Sequence, residues 1–167
     1  IERTGYRPSF DVCGLWSGYQ GEGAKTVIPS KAYAKISSRL VPHQDYKKIG
    51  QLVVDYFNKV SPDTVDVKVE MLHGGYGYVC PIDFPAYKAA ERGFEAVFGK
   101  RPLPVRIGGS IPIISTFEKL LGTKSVLMGF GLESNAIHSP NENMPVDLWK
   151  KGIEAVVNFH LEYDKEV

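Results

Sequence analysis

The sequence lacks most of the features that betray a protein's business at once. Only two cysteines, Cys13 and Cys80, occur in 167 residues. They are too few and too widely spaced for a disulfide-knit secreted scaffold or a paired-cysteine zinc knuckle, and two buried free thiols are expected. Neither sign of charge is in excess. Twenty basic residues against nineteen acidic ones leave a net charge of +1, so no overall field favours nucleic acid or an anionic membrane as partner. Long apolar runs are missing too: stretches such as Ser125 to Leu132 fall far short of the roughly 20 residues that cross a bilayer. No methionine and no charged-then-apolar leader opens the chain at Ile1, which reads as a piece of a longer protein. A cytoplasmic location is expected.

What is present is ordinary globular material. The chain is 43% hydrophobic, 11% aromatic and 23% charged, a balance that excludes global disorder and low complexity. Two β-rich stretches, Phe10–Gly18 and Ser30–Val41, flank a glycine-bearing loop at 17–29. In the second stretch Ala32, Ala34, Ile36, Ser38 and Leu40 alternate with Lys31, Tyr33, Lys35, Ser37 and Arg39, which predicts a half-buried strand. After Pro42, the apolar positions Ile49, Leu52, Val53, Tyr56, Phe57 and Val60 follow a helical spacing behind Asp45, a residue type suited to a cap or first-turn acid. Val65, Val67, Val69 and Met71 then alternate as in a strand. From Asp83 onward the pattern changes to helix near 85–98, strand near Val105, helix after Pro112, strand over 125–130 and a last helix over 145–163. The fold class expected is α+β with an α/β-like second part: a partial antiparallel sheet with a helix over residues 1–82, then a partial helix-flanked sheet over 83–167.

Chemistry has few places to sit. Of four histidines, His138 lies in a loop beyond a predicted strand, where ligands bind in open α/β sheets; it reads equally as a site residue and as a surface-loop histidine. His73 ends a predicted strand before two glycines that would let a ligand approach the backbone, or it is simply a turn residue. His43 reads as a solvated turn residue and His160 as a packed or boundary histidine of the last helix. The run Arg106-Ile-Gly-Gly-Ser-Ile-Pro112 offers backbone amides and the Ser110 hydroxyl at a helix start, suited to a carboxylate or oxyanion. It has neither the lysine of a P-loop nor the dinucleotide-binding spacing. Arg39 can grip a carboxylate through two parallel hydrogen bonds, or serve as an edge charge. Lys25 and Thr26 can donate from the glycine loop.

Taken together, Gly21-Glu-Gly-Ala-Lys-Thr-Val-Ile-Pro29, Ile36-Ser-Ser-Arg-Leu-Val-Pro42, His73-Gly-Gly, Gly108-Gly-Ser-Ile-Pro112 and Ala136-Ile-His-Ser-Pro-Asn-Glu142 resemble the zinc-dependent metallopeptidases that include carnosinase, cytosolic dipeptidase, acetylornithine deacetylase and succinyl-diaminopimelate desuccinylase. The resemblance covers nearly the whole chain. It implies that residues 1–82 are the later part of a lid, or dimerisation, domain and that 83–167 close the catalytic domain. It also implies hydrolysis of dipeptides or N-acyl amino acids by metal-activated water, with two zinc ions per site in the parent, Mn or Co being possible substitutes. His138 matches the family's last metal ligand. Arg39 matches the clamp for the substrate carboxylate, and Thr26, His73, Gly109 and Ser110 match positions lining the substrate pocket.

The resemblance implies that the family's His-x-Asp motif, bridging aspartate and paired glutamates belong to the front half that precedes the matched segments, so the general base is expected upstream and the isolated chain is expected to be inactive. One departure stands out. Ile107 occupies a position that is acidic in many dipeptidases of the family, which weakens the case for a free substrate amine and strengthens it for an N-acyl amino acid. The expected partners are a small peptide or N-acyl amino acid substrate and a second copy through the lid sheet, with neither nucleic acid nor membrane. The alternative reading is a non-catalytic dimerisation or interaction module.

Overall fold

The computed structural model describes residues 2–108 and 111–166. A single helical turn, α1 (Glu2–Gly5), leads into an antiparallel pair, β1 (Ser9–Ser17) and β2 (Ala32–Arg39). The ladder runs from Ser9 opposite Arg39 to Ser17 opposite Ala32 and carries a bulge at Cys13, which lies between the Val12–Ile36 and Gly14–Lys35 pairs. An inserted residue switches the alternation of a strand. Phe10, Val12 and Leu15 therefore share a face with Ile36 and Ala34, while Trp16 sits opposite Tyr33 on the other face. Trp16 and Tyr33 stack with ring centroids 5.2 Å apart, and Lys35 extends over the indole.

β2, within the stretch 30–41 expected to be a half-buried strand, is exposed along its whole length. A two-stranded ribbon leaves both faces to solvent unless another layer packs on it. The same openness corrects the expectation for the thiols: both cysteines are free, but Cys13 is exposed and Cys80 only partly covered.

Each long helix starts at a local signal. The Asp45 carboxylate accepts from the backbone N–H groups of Lys47 and Lys48, at 2.8 and 3.3 Å, and opens α2 (Tyr46–Val60). Proline begins α3 (Pro85–Phe98) and α4 (Pro112–Leu121) and immediately precedes α5 (Val146–Tyr163). Gly99, in the left-handed region, ends α3 with its N–H on the Glu95 carbonyl.

No strand other than β1 and β2 forms among the described residues. The alternating segments 65–72 and 125–130 and the stretch near Val105 thus depart from expectation. Alternation marks a chain able to pair, but a strand exists only where a neighbour exchanges backbone hydrogen bonds with it. The fold remains α+β: one two-stranded antiparallel sheet and helices.

The chain divides into two compact units, residues 1–78 with 106–115, and residues 79–105 with 116–167. In the first, residues 71–77 run close to α2. A Cβ at Gly50 would strike the Met71 sulfur, one at Gly74 would strike the Tyr46 ring, and Tyr46 meets Tyr76 edge-on at 4.9 Å. In the second, α3 packs against α5. The fully covered positions there are small: Ala89, Ala90 and Gly93 on α3, Gly152 and Ala155 on α5. Phe130 stacks on Phe94 at 5.1 Å and lies against Gly152, so the segment leading to the 131–143 loop is anchored on both helices. No described helix is long and apolar enough to cross a membrane.

Candidate functional site

In the first unit the expected site residues occupy three exposed segments. Thr26 is in the loop between the strands, Arg39 is the last residue of β2, and His73 lies in the irregular stretch beside α2. In the loop, the Tyr19 hydroxyl donates to the Glu22 carbonyl at 3.1 Å and Lys25 sits over the Tyr19 ring, so Lys25 has an aromatic neighbour within the loop itself. The glycines after His73 make room for neighbouring protein: Gly74 faces the Tyr46 ring, and a Cβ on Gly75 would lie 3.1 Å from the Pro112 side chain. Gly109 and Ser110 lie outside the described residues.

Their approach segment is held by α1. The Arg106 guanidinium stacks over the Tyr6 ring, the Arg106 carbonyl lies against Gly5, and Gly108 faces the Thr4 carbonyl. Ile107 is 77% exposed and presents an apolar side chain where a carboxylate would offer charge.

In the second unit His138 is exposed, with φ at +62°. Its backbone N–H donates to the Glu142 carboxylate at 3.2 Å. Two further residues of the loop, Ala136 and Asn141, also have left-handed backbone, a conformation that side chains other than glycine and asparagine rarely take. Ile137 folds back onto Gly131, where a Cβ would lie 3.0 Å from its Cδ1. An open depression follows, lined by Gly131, Leu132, Glu133, Ala136, Ile137 and Ser139. Two residues that shape this loop, Asn135 and Glu142, were not singled out by sequence reasoning. Glu142 closes the quoted Ala136-to-Glu142 motif, and its spacing from His138 was the available signal.

The imidazole of His138 is chemically suited to a borderline ion such as zinc, yet zinc sites take three or four protein donors. Among the described residues no group of three or more His, Cys, Asp and Glu side chains is arranged to hold a metal. The described residues therefore do not form a three-donor metal site among themselves.

Residues 5–162 match the profile of Peptidase family M20/M25/M40. The chain belongs to this family. Over 163 residues it is 36% identical to the Cys-Gly metallodipeptidase DUG1 of Candida albicans, a match covering 95% of the chain and 33% of that protein. It is 32% identical over 159 residues to the human Beta-Ala-His dipeptidase, covering 93% of the chain and 31% of the relative. The solved structure of the dipeptidase Dug1p of Saccharomyces cerevisiae superposes with a TM-score of 0.87 at 29% identity, over 98% of the chain and 35% of the other. The chain thus spans about a third of the length of the curated M20/M25/M40 relatives it matches. Cys-Gly metallodipeptidases are thus among the relatives that the chain matches.

Proposed function

We propose that the chain is part of a metal-dependent peptidase that hydrolyses the amide bond of dipeptides or N-acyl amino acids. The observation that carries this reading is the similarity to a Cys-Gly metallodipeptidase across 95% of the chain, with the five quoted motifs falling inside residues 5–162. In it, residues 1–82 contribute the later part of a lid that also pairs two copies through its sheet, and residues 83–167 contribute the end of the catalytic domain, in a cytoplasmic protein.

Each residue has a task in this reading. His138 donates one imidazole to the metal centre. Arg39, exposed at the end of β2, binds the substrate carboxylate through its planar fork of donors. Thr26, His73, Gly109 and Ser110 line the pocket, where N–H and O–H donors aimed at the scissile carbonyl oxygen stabilise the charge that develops there. The ions, two zinc per site with Mn or Co as substitutes, supply Lewis-acid chemistry when bound. The remaining donors and the general base belong to sequence outside these 167 residues, so the chain alone is inactive.

The test uses the complete polypeptide. Cys-Gly hydrolysis that stops on chelation and returns with Zn²⁺ supports the reading; turnover unaffected by chelation removes it, as does stoichiometric binding of two zinc ions and turnover by residues 1–167 alone. Arg39→Ala is expected to raise KM mainly for substrates with a free carboxylate, and an equal loss on carboxyl-amidated substrates removes the clamp. The exposed Ile107 favours N-acyl amino acids within the substrate class, which a comparison of N-acetyl and free-amine substrates decides.

A further inference from the structure

The loop that carries His138 adopts left-handed backbone at three non-glycine positions, Ala136, His138 and Asn141. Such residues persist only where surrounding contacts over-determine them. The contacts here converge on Asn135, which is 3% exposed and the single buried polar residue among those described. Its backbone N–H donates to the Leu132 carbonyl at 3.0 Å, its side-chain Oδ1 accepts from the Leu132 N–H at 2.6 Å, and its own carbonyl accepts from the Asn143 N–H at 3.0 Å. One residue thereby ties both ends of the segment 132–143.

Inside that closure the Ser139 N–H donates to the Ala136 carbonyl, the Glu142 N–H to the Ser139 carbonyl, and the His138 N–H to the Glu142 carboxylate. Leu132 begins the short 3-10 turn Glu133–Asn135 and has no side-chain acceptor to cap it. The reach of Asn135 back to the Leu132 N–H is the third-residue half of a capping box, and it satisfies a donor that the turn leaves open.

We propose that Asn135 is a positioning residue for His138: its buried side chain closes the 132–143 loop and fixes the backbone from which the imidazole projects. The inference rests on the reading of His138 as a metal-binding residue. It also specifies which atom matters. Oδ1 is engaged, whereas Nδ2 has no hydrogen-bond partner among the described residues, so a carboxylate in place of the amide keeps the atom that closes the loop.

The experiment compares Asn135→Ala, Asn135→Asp and His138→Ala in the complete polypeptide. It reads the hydrogen-exchange rate of the Leu132 amide, the affinity for Zn²⁺ in competition with a chromophoric chelator, and kcat and KM for Cys-Gly. Asn135→Ala is expected to speed Leu132 exchange about tenfold, the equivalent of one lost hydrogen bond, and to weaken zinc roughly tenfold or more, as loss of a ligand-orienting partner does. Its kcat falls while KM stays within about twofold, since the residue acts through an imidazole and not on the substrate. Asn135→Asp returns Leu132 protection and zinc affinity toward wild type. The proposal is overturned if Asn135→Ala keeps wild-type zinc affinity and kcat while His138→Ala loses both, or if Asn135→Asp restores neither protection nor zinc. Intact zinc binding and turnover in His138→Ala instead remove the reading of His138 itself, and this inference with it.

Discussion

The α3–α5 pair and the β1–β2 ribbon hold together by different means. The covered positions on the two helices are the small residues Ala89, Ala90, Gly93, Gly152 and Ala155, and at Gly93 α3 lies directly on the α5 backbone, where a Cβ would sit 2.8 Å from the Phe159 nitrogen and 3.1 Å from the Ala155 carbonyl oxygen. In the ribbon nothing comparable is covered: Leu15 is 76% exposed and Val12 60%, and cohesion comes from the backbone ladder and the Trp16–Tyr33 stack. Where contact is by close approach, each position tolerates little change in volume. Where it is by ladder, side chains are largely interchangeable unless they meet a cross-strand neighbour.

The sharpest way to break the contrast is Gly93→Val. The added methyls drive into the α5 backbone, and a loss of about 3 kcal/mol is expected, at the upper end of overpacking, read as a lowered urea midpoint. Trp16→Ala is expected to cost about 1 kcal/mol through the lost stack, with the effect confined to the ribbon in a residue-resolved exchange experiment. A smaller effect is expected from Arg92→Ala, because Arg92 joins α3 to Glu162 and Glu166 at 2.8 and 2.5 Å across a partly exposed surface.

That variant carries a pH signature. Lys165 first, then Arg92, holds the Glu162 carboxyl below the usual carboxylate range through hydrogen bonds. A carboxylate lowered in the folded state stabilises it fully above its unfolded pKa and loses that contribution as pH falls through the folded value. The gap between wild type and Arg92→Ala is therefore expected to be constant at neutral pH and to close on acidification below roughly pH 4.3. A gap that widens with acid contradicts the assignment. Smallest of all, Leu15→Ser should stay within about 0.5 kcal/mol, and a larger loss would mean that the apolar ribbon face is covered.

The same contrast explains what could be read from the sequence. The helix starts at Asp45, Pro85, Pro112 and Pro145 are written in single residues, and apolar spacing set the helix lengths, so α2 to α5 were legible. β1 and β2 were legible because one chain segment pairs with the next but one. The segments 65–72 and 125–130 were not, since their state depends on a partner and not on their own alternation. At the candidate site the motif residues could be named, but what the glycines beside His73 pack against could not, because their neighbours, Tyr46 and Pro112, are distant in sequence. Asn135 was missed for a similar reason: buried polar hubs have no periodicity, and its partners emerge only when the loop closes.

The bulge at Cys13 gives the ribbon one place where chain length can change without scrambling it. Removing that residue would bring Val12 and Gly14 into succession opposite Ile36 and Lys35 and leave all eight facing pairs as they are. A one-residue loss at Leu15 instead would slide Ser9 through Gly14 or Trp16 and Ser17 out of step with β2. Natural variants of this strand that differ in length should thus differ at the thiol.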